Sequence, residues 1–215
     1  MAATKMQESA LERFVRKTRE VFAAEAQPER RWPALEPILA ELLADPTVIE
    51  ASKSWPDCVV VDGRPENLLF YQDPEFGFAV NGLIKGQARQ SSRTVAHDHA
   101  HLYTLYGVLD GHERIERYER LDDGTQAGRA DIRKSADVLV GPGEIDLVKP
   151  FEIHQEVTVG ERTVAVIIRS ESVGDIEAGR YEPETGKYWQ ALGPRQTACE
   201  MLPRARQAGQ PAAPA

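Results

Sequence analysis

Three of the chain's five histidines fall in one seven-residue stretch, Val95-Ala96-His97-Asp98-His99-Ala100-His101. Neutral imidazole is a common ligand for first-row metal ions. On a β-strand alternate side chains share a face, so His97 and His99 point one way and Asp98 the other. Two same-face imidazoles can hold one divalent ion, and a stable site needs a third ligand. Only His112 and His154 remain. His112 sits in the turn-like Asp110-Gly111-His112-Glu113-Arg114, a setting for a solvated loop residue. His154 follows the Gly141-Pro142-Gly143 turn, near a strand end, and reaches the H-x-H strand if two sheets face each other. The expected metal ligands are therefore His97, His99 and His154. His101 joins the same face if the strand stays regular, and a bulge would turn it aside. Asp98 points away and is expected to support the site or the fold without binding the ion.

The elements that must carry these residues fall into two kinds. Residues 7–26 place Leu11, Phe14, Val15, Thr18, Val21 and Phe22 at three- and four-residue steps, an amphipathic helix that Pro28 ends. A second helix over about 34–44 carries the stripe Leu35, Ile38, Leu39, Leu42 and Leu43, and Asp45-Pro46 stops it. Both can cap the main domain or form an oligomer contact. From about residue 55, short β-rich runs such as CVVVDG, NLLFYQDP, ADVLVGPG and RTVAVIIRS alternate with Gly, Asp and Pro. No helix-period segment interrupts them, which implies an antiparallel sandwich or barrel and not βαβ units. The expected organisation is a helical segment over 1–50, a β domain over 51–192, and a disordered small-residue and proline-rich tail over 193–215.

The bulk properties bound the function. The chain has 215 residues, a net charge of −8 and an isoelectric point near 5.2. That disfavours nucleic acid and anionic membranes as partners. No apolar run approaches the roughly 18 residues of a spanning helix, and the N-terminal residues lack a signal-peptide core, so a cytoplasmic location is expected. Cys58 and Cys199 have no C-x-x-C partner and are read as reduced structural thiols.

Taken together, these residues resemble the cupins, double-stranded β-helix barrels with two short motifs. The first, G-x5-H-x-H-x3-4-E-x6-G, is met by His97-Asp98-His99 and closed by Gly111; the second requires a glycine and a histidine eleven apart, as Gly143 and His154 are. The glutamate of the first motif is missing, with Tyr103 and Thr104 at its place. A three-histidine site of that kind is similar to the cysteine dioxygenase-like (thiol dioxygenase) branch, as are "GVLDG", "ERYERLDDG" and "GDIEAGRYEPETG". The resemblance covers about residues 68–188. It implies a mostly β cupin barrel with an N-terminal helical extension, a mononuclear Fe(II) centre, and a dioxygenase acting on a small thiol or another anionic chelating substrate with O2. Zn, Mn or Ni are the other ions such a site accepts. A homodimer is possible.

Several features depart from that branch. The cysteine that can cross-link to a tyrosine is replaced by Thr104. The Ser-His-Tyr set of the last barrel strand is absent from Ile168-Arg169-Ser170-Glu171-Ser172. The carboxylate-binding arginine has no counterpart in Leu69–Asp73. Tyr106 and Arg169 are the candidate catalytic residues. Arg169 interrupts an apolar run, and a buried guanidinium needs an anionic partner: a substrate carboxylate, or Glu171 or Glu152. Trp32, Trp55 and Trp189 read as packing residues. Two other functions remain open: a non-oxygenase metal-dependent cupin of the isomerase type, and a small-molecule-binding module without turnover.

Overall fold

The computed structural model describes residues 8–86 and 93–202. Three helices open the chain: α1 (Ala10–Ala24), α2 (Pro28–Leu43) and α3 (Pro46–Ser52). α1 begins with a capping box in which Ser9 and Glu12 satisfy each other's backbone amides. α2 begins at Pro28, earlier than the stripe at 34–44 implied. Proline at the first helical position sacrifices an amide that has no helical partner anyway, so the residue that ends one helix also starts the next. Asp45-Pro46 repeats the device. It ends α2, and the Asp45 carboxylate then accepts from the Thr47 amide at 2.9 Å to cap α3, which the sequence pattern did not reveal.

Eleven strands follow among the described residues: β1 (Val60–Val61), β2 (Arg64–Gln72), β3 (Ala79–Lys85), β4 (Ala96–His97), β5 (Thr104–Arg120), β6 (Ile132–Val140), β7 (Ile145–Val148), β8 (Ile153–Arg169), β9 (Glu177–Glu182), β10 (Lys187–Leu192) and β11 (Arg195–Ala198). They form a mostly β molecule, a curled and largely antiparallel half-barrel in the order β1-β2-β3-β8-β4-β9-β10. β5 pairs with β6, β7 and β8, and β11 runs parallel to β2. β5 and β8 are 17 residues each, longer than the runs read from the sequence. Gly111, at φ +76, does not end β5. It forms a bulge against β8, where a Cβ would lie 2.1 Å from the Arg162 carbonyl oxygen. The strand pattern also extends past residue 192: β11 lies in the stretch expected to be tail, and Met201 is buried with its carbonyl accepting from Trp55 Nε1 at 2.9 Å. Residues 203–215 of that expected tail lie outside the described residues.

The two faces of the sheet divide the labour. The outer face packs on the helices: Phe14, Phe22, Trp32, Leu35 and Leu39 share one apolar core with Phe78, Val80, Leu105, Val166 and Ile168. Gly107 of β5 sits directly under α2, where a Cβ would meet Leu43 at 2.7 Å and Leu39 at 3.2 Å. The inner face is polar. Lys85, His99, Thr104, Glu113, His154, Glu156 and Arg169 are all buried. Polar side chains on the covered face of a barrel need a partner or a ligand. No helix among the described residues is long and apolar enough to cross a membrane.

Candidate metal centre

β4 is two residues long, yet it places His97 directly opposite His154 of β8. Beyond His97 the chain leaves the sheet, so the strand does not stay regular through His101. Asp98 holds the departing loop. Its Oδ1 accepts from the amides of Ala100 at 2.8 Å and Gly179 at 3.0 Å, and its Oδ2 accepts from the Tyr181 hydroxyl at 2.7 Å. Ala100 takes a left-handed φ of +51, and its carbonyl accepts from the Phe151 amide at 2.7 Å. This sharp turn leaves His99 facing inward beside His97 and throws His101 outward, where its Nε2 lies 2.6 Å from Glu171. His101 is outside the cluster. Asp98 points away from the imidazoles and positions them. His112 is exposed, as a solvated residue would be, but it stands within β5 and not in a loop.

The three remaining histidines converge. One ring nitrogen of each lies within 4.8 Å of the others, and the ring centroids are 5.1, 4.5 and 4.8 Å apart. Metal–nitrogen bonds of about 2.1 Å put imidazole centroids roughly 4.6 Å apart at right angles and roughly 5.3 Å apart at the tetrahedral angle. The observed separations lie close to that range, so the three imidazoles could hold one first-row ion between them.

The protonation states also fit. Nδ1 of His97 lies 2.9 Å from the Val95 carbonyl and Nδ1 of His154 lies 3.3 Å from that of Glu152. A carbonyl only accepts, so Nδ1 of His97 carries the proton and its Nε2 keeps the lone pair, whereas His154 meets an acceptor at each ring nitrogen. Nδ1 of His99 is buried without a partner. Burial lowers the His97 pKa to about 3, with His154 and Arg180 adding repulsion, and burial likewise holds His99 well below its ordinary value. Both are neutral donors at physiological pH. His154 differs: burial opposes its protonation, but the Glu156 carboxylate 3.5 Å from Nε2 outweighs that and raises its pKa.

Glu156 is the group that the motif comparison missed. It follows His154 by two on β8 and so shares its face, bringing a carboxylate to the triad from the opposite motif to the one where a glutamate was sought. Thr94 donates to its second oxygen at 2.7 Å. The His154-x-Glu156 alternation on a strand was the available signal. The triad therefore does not stand in a carboxylate-free site.

Tyr106 and Arg169 line the same cavity, with His99, Thr104, Ile115, Asp146, Val148, His154 and Glu156; its volume is about 10 Å³, room for a single water-sized sphere. The Tyr106 hydroxyl donates to buried Glu113, which also pairs with Lys85. Burial and that carboxylate raise the tyrosine's pKa well above the usual value. Neither acid offered for Arg169 by the sequence is its partner: Glu171 meets His101, and Glu152 meets Arg117. Arg169 Nη1 instead donates to Asn81 Oδ1 at 2.9 Å, and its Nε has no partner. Burial lowers its pKa to about 10, still charged at neutral pH. Tyr103 stacks on Trp32 at 5.7 Å, Trp55 packs on Phe70, and no disulfide joins Cys58 and Cys199.

No protein-family model matches the chain, and no curated protein matches its sequence. Partial structural likeness is found to cupin-type proteins. A double-stranded β-helix protein from Klebsiella pneumoniae subsp. pneumoniae is 14% identical, with 64% of this chain and 85% of that one covered at a TM-score of 0.36. Hydroquinone 1,2-dioxygenase PnpCD is 13% identical, with 71% and 75% covered at 0.39. An oxalate oxidase in complex with glycolate is 17% identical at 0.34, with 44% of this chain covered and 42% of that one, so the chain spans less than half its length.

Proposed function

We propose that the protein is a mononuclear non-haem iron dioxygenase, with Fe(II) held by His97, His99 and His154, that oxidises a small thiol or another anionic chelating substrate with O2. The observation that carries this reading is the convergence of three imidazoles, two of them held neutral by burial, on a buried cavity walled by an arginine that lacks an acid. The motif resemblance to the thiol dioxygenases supports the reaction class.

A divalent iron bound there would supply a one-electron couple and a coordination sphere in which an anionic substrate and O2 meet. The chain's own groups prepare that meeting. The Val95 carbonyl fixes the His97 tautomer with its lone pair on Nε2, and the Glu152 carbonyl holds the His154 ring by Nδ1. The Asp98 tether sets the angle of the H-x-H segment. Arg169 supplies fixed positive charge at the wall, and Tyr106, held by Glu113, forms part of the wall without a free proton to give. Ile115 and Val148 supply the apolar part of the lining.

Glu156 supports one other reading: a redox-silent ion such as Zn(II), Mn(II) or Ni(II), with this carboxylate as the base of an isomerase-type proton transfer. The test is metal analysis of protein purified without tag or chelator, followed by anaerobic Fe(II) reconstitution and oxygen-electrode assays with small thiols and thiol-free carboxylates. Near-stoichiometric iron with substrate-dependent O2 uptake is expected, and His154→Ala abolishes both. Turnover without oxygen selects the second reading. A protein that holds no metal even after reconstitution overturns both.

A further inference from the structure

Among the described residues, six buried side-chain polar atoms have no hydrogen-bond partner, and four belong to residues that line the cavity beside the triad: His99 Nδ1, Thr104 Oγ1, Asp146 Oδ2 and Arg169 Nε. Buried polar atoms are nearly always paired in folded proteins, so four orphans around one cavity point to a small ligand that serves them together. The strand registers bring them to one face. Thr104 stands opposite Arg169 of β8 on one side and opposite Val148 of β7 on the other. Asp146 precedes Val148 by two, so it shares that face one row away. His99 arrives from the loop before β5, where its carbonyl accepts from the Leu102 amide at 3.1 Å. Thr104, Arg169 and His99 are 1%, 5% and 7% exposed, so bulk solvent does not serve them.

The size and chemistry of the cavity select its occupant. A volume of about 10 Å³ holds one water molecule and nothing larger. The polar atoms around it are balanced as a water requires. Arg169 Nε can only donate, and its Nη1 is committed to Asn81. The Asp146 carboxylate accepts, and its Oδ1 is already taken by Arg117 at 2.7 Å. The Thr104 hydroxyl can do either. A chloride would meet the Asp146 carboxylate, and a small cation would meet the Arg169 guanidinium, so neither kind of ion suits the whole set. A water takes two hydrogen bonds and gives two. Arg169 Nε fills one place on its oxygen, and its two hydrogens go to Asp146 Oδ2 and Thr104 Oγ1. The remaining place on the oxygen needs a donor. Burial keeps the His99 ring neutral, so only one of its nitrogens carries a hydrogen, and the water calls for it on Nδ1.

We propose that the cavity binds one structural water shared by His99, Thr104, Asp146 and Arg169, and that this water holds His99 with its proton on Nδ1 and its lone pair on Nε2. The water then does for His99 what the Val95 carbonyl does for His97. Thr104 and Asp146 are positioning residues that act on the ring through it. Only the consequence for the ion rests on the metal-enzyme reading above: a ring fixed in this tautomer presents its lone pair to the metal. The water and the tautomer belong to the metal-free chain.

The experiment therefore starts from metal-free, full-length wild type. A high-resolution crystal structure is expected to show one water within about 3.2 Å of all four atoms. Nitrogen-15 NMR of the histidine rings is expected to show His99 protonated on Nδ1. Thr104→Ile replaces the hydroxyl with an ethyl branch that fills the cavity. It is expected to expel the water, leave His99 as a mixture of tautomers, and weaken zinc binding in chelator competition by about tenfold. Thr104→Ser keeps the hydroxyl and is expected to retain the water, the tautomer and the zinc affinity of wild type. Wild type without a water at this place, or with His99 protonated on Nε2, overturns the proposal. So does a bromide soak that puts an anomalous peak there, which makes the occupant an anion, or a Thr104→Ile protein whose His99 stays on Nδ1. A water and an Nδ1 proton in a protein that binds no zinc uphold the proposal and refute the metal reading.

Discussion

Asp98→Ala tests whether the site is positioned by the loop tether or by the strand itself. The carboxylate accepts three hydrogen bonds, from Ala100, Gly179 and Tyr181, and is 4% exposed. A hydrogen bond to a charged acceptor contributes about 1.5–3 kcal/mol, and donors stranded in the interior add to the loss. The three share one acceptor and do not add fully, so the expected cost is about 3–5 kcal/mol. At a urea dependence of about 2 kcal/mol per molar, the unfolding midpoint of metal-free protein falls by about 2 M. Tyr181→Phe removes one of the three bonds and should cost about 1–2 kcal/mol. Gly179→Ala attacks the same spot from the other side, since a Cβ there would lie 2.4 Å from Asp98 Oδ2. Because the tether sets His97 and His99, zinc affinity measured by chelator competition is also expected to fall, by about 10–100-fold for Asp98→Ala. The reasoning fails if Asp98→Ala unfolds within about 0.3 M of wild type, or if it destabilises the fold and leaves zinc affinity untouched.

Glu156→Gln removes the carboxylate beside His154 while keeping its shape, and zinc competition should show affinity lowered about tenfold. His101→Ala breaks an exposed pair with Glu171; stability should stay within about 0.5 kcal/mol and metal content should not change. Leu39→Ala opens a cavity between α2 and β5 at a residue with no exposure, and urea unfolding should show a loss of about 2–5 kcal/mol with zinc affinity retained. Burial alone would raise the pKa of Asp73, but the Phe76 and Glu75 amides, Arg19 and Tyr71 hold it below the usual value. Its folded pKa lies under its unfolded one, so its stabilisation is complete above about pH 4 and is lost as pH falls through the folded value. Asp73→Asn should therefore flatten the acid limb of a stability–pH profile while lowering the plateau.

The triad was legible because chelation imposes a pattern that survives translation into one dimension: period two on a strand, then a third imidazole after a turn. Its local reason was different from the one expected. Only Ala96 and His97 are strand, and His99 is placed by the Asp98 tether and the left-handed Ala100. Non-glycine left-handed residues leave no trace in a hydrophobic pattern, so the fate of His101 could not be read. The amphipathic stripes of α1 and α2 were legible for the usual reason. The helix boundaries were not, because Pro28 and Pro46 serve as both stop and start. β11 escaped notice because only Gln196 of its four residues is even partly buried, so it lacks the apolar alternation of a core strand. Arg169 was recognised as needing an anion, but the acids near it in sequence belong to other cations in space.

The charges of the inner face bear on what the cavity will accept. Lys85 and Glu113 neutralise each other, and Arg117 takes up both Asp146 and Glu152. Arg117 brings one positive charge against those two carboxylates, so that set keeps a net charge of −1. Glu156 and Arg169, opposite in sign, line one cavity without a hydrogen bond between them. A divalent cation held by neutral imidazoles would therefore leave the inner face about one positive charge in excess. Where water is largely excluded, that excess must be met by the ligand, so a singly charged anion balances it and a neutral ligand does not.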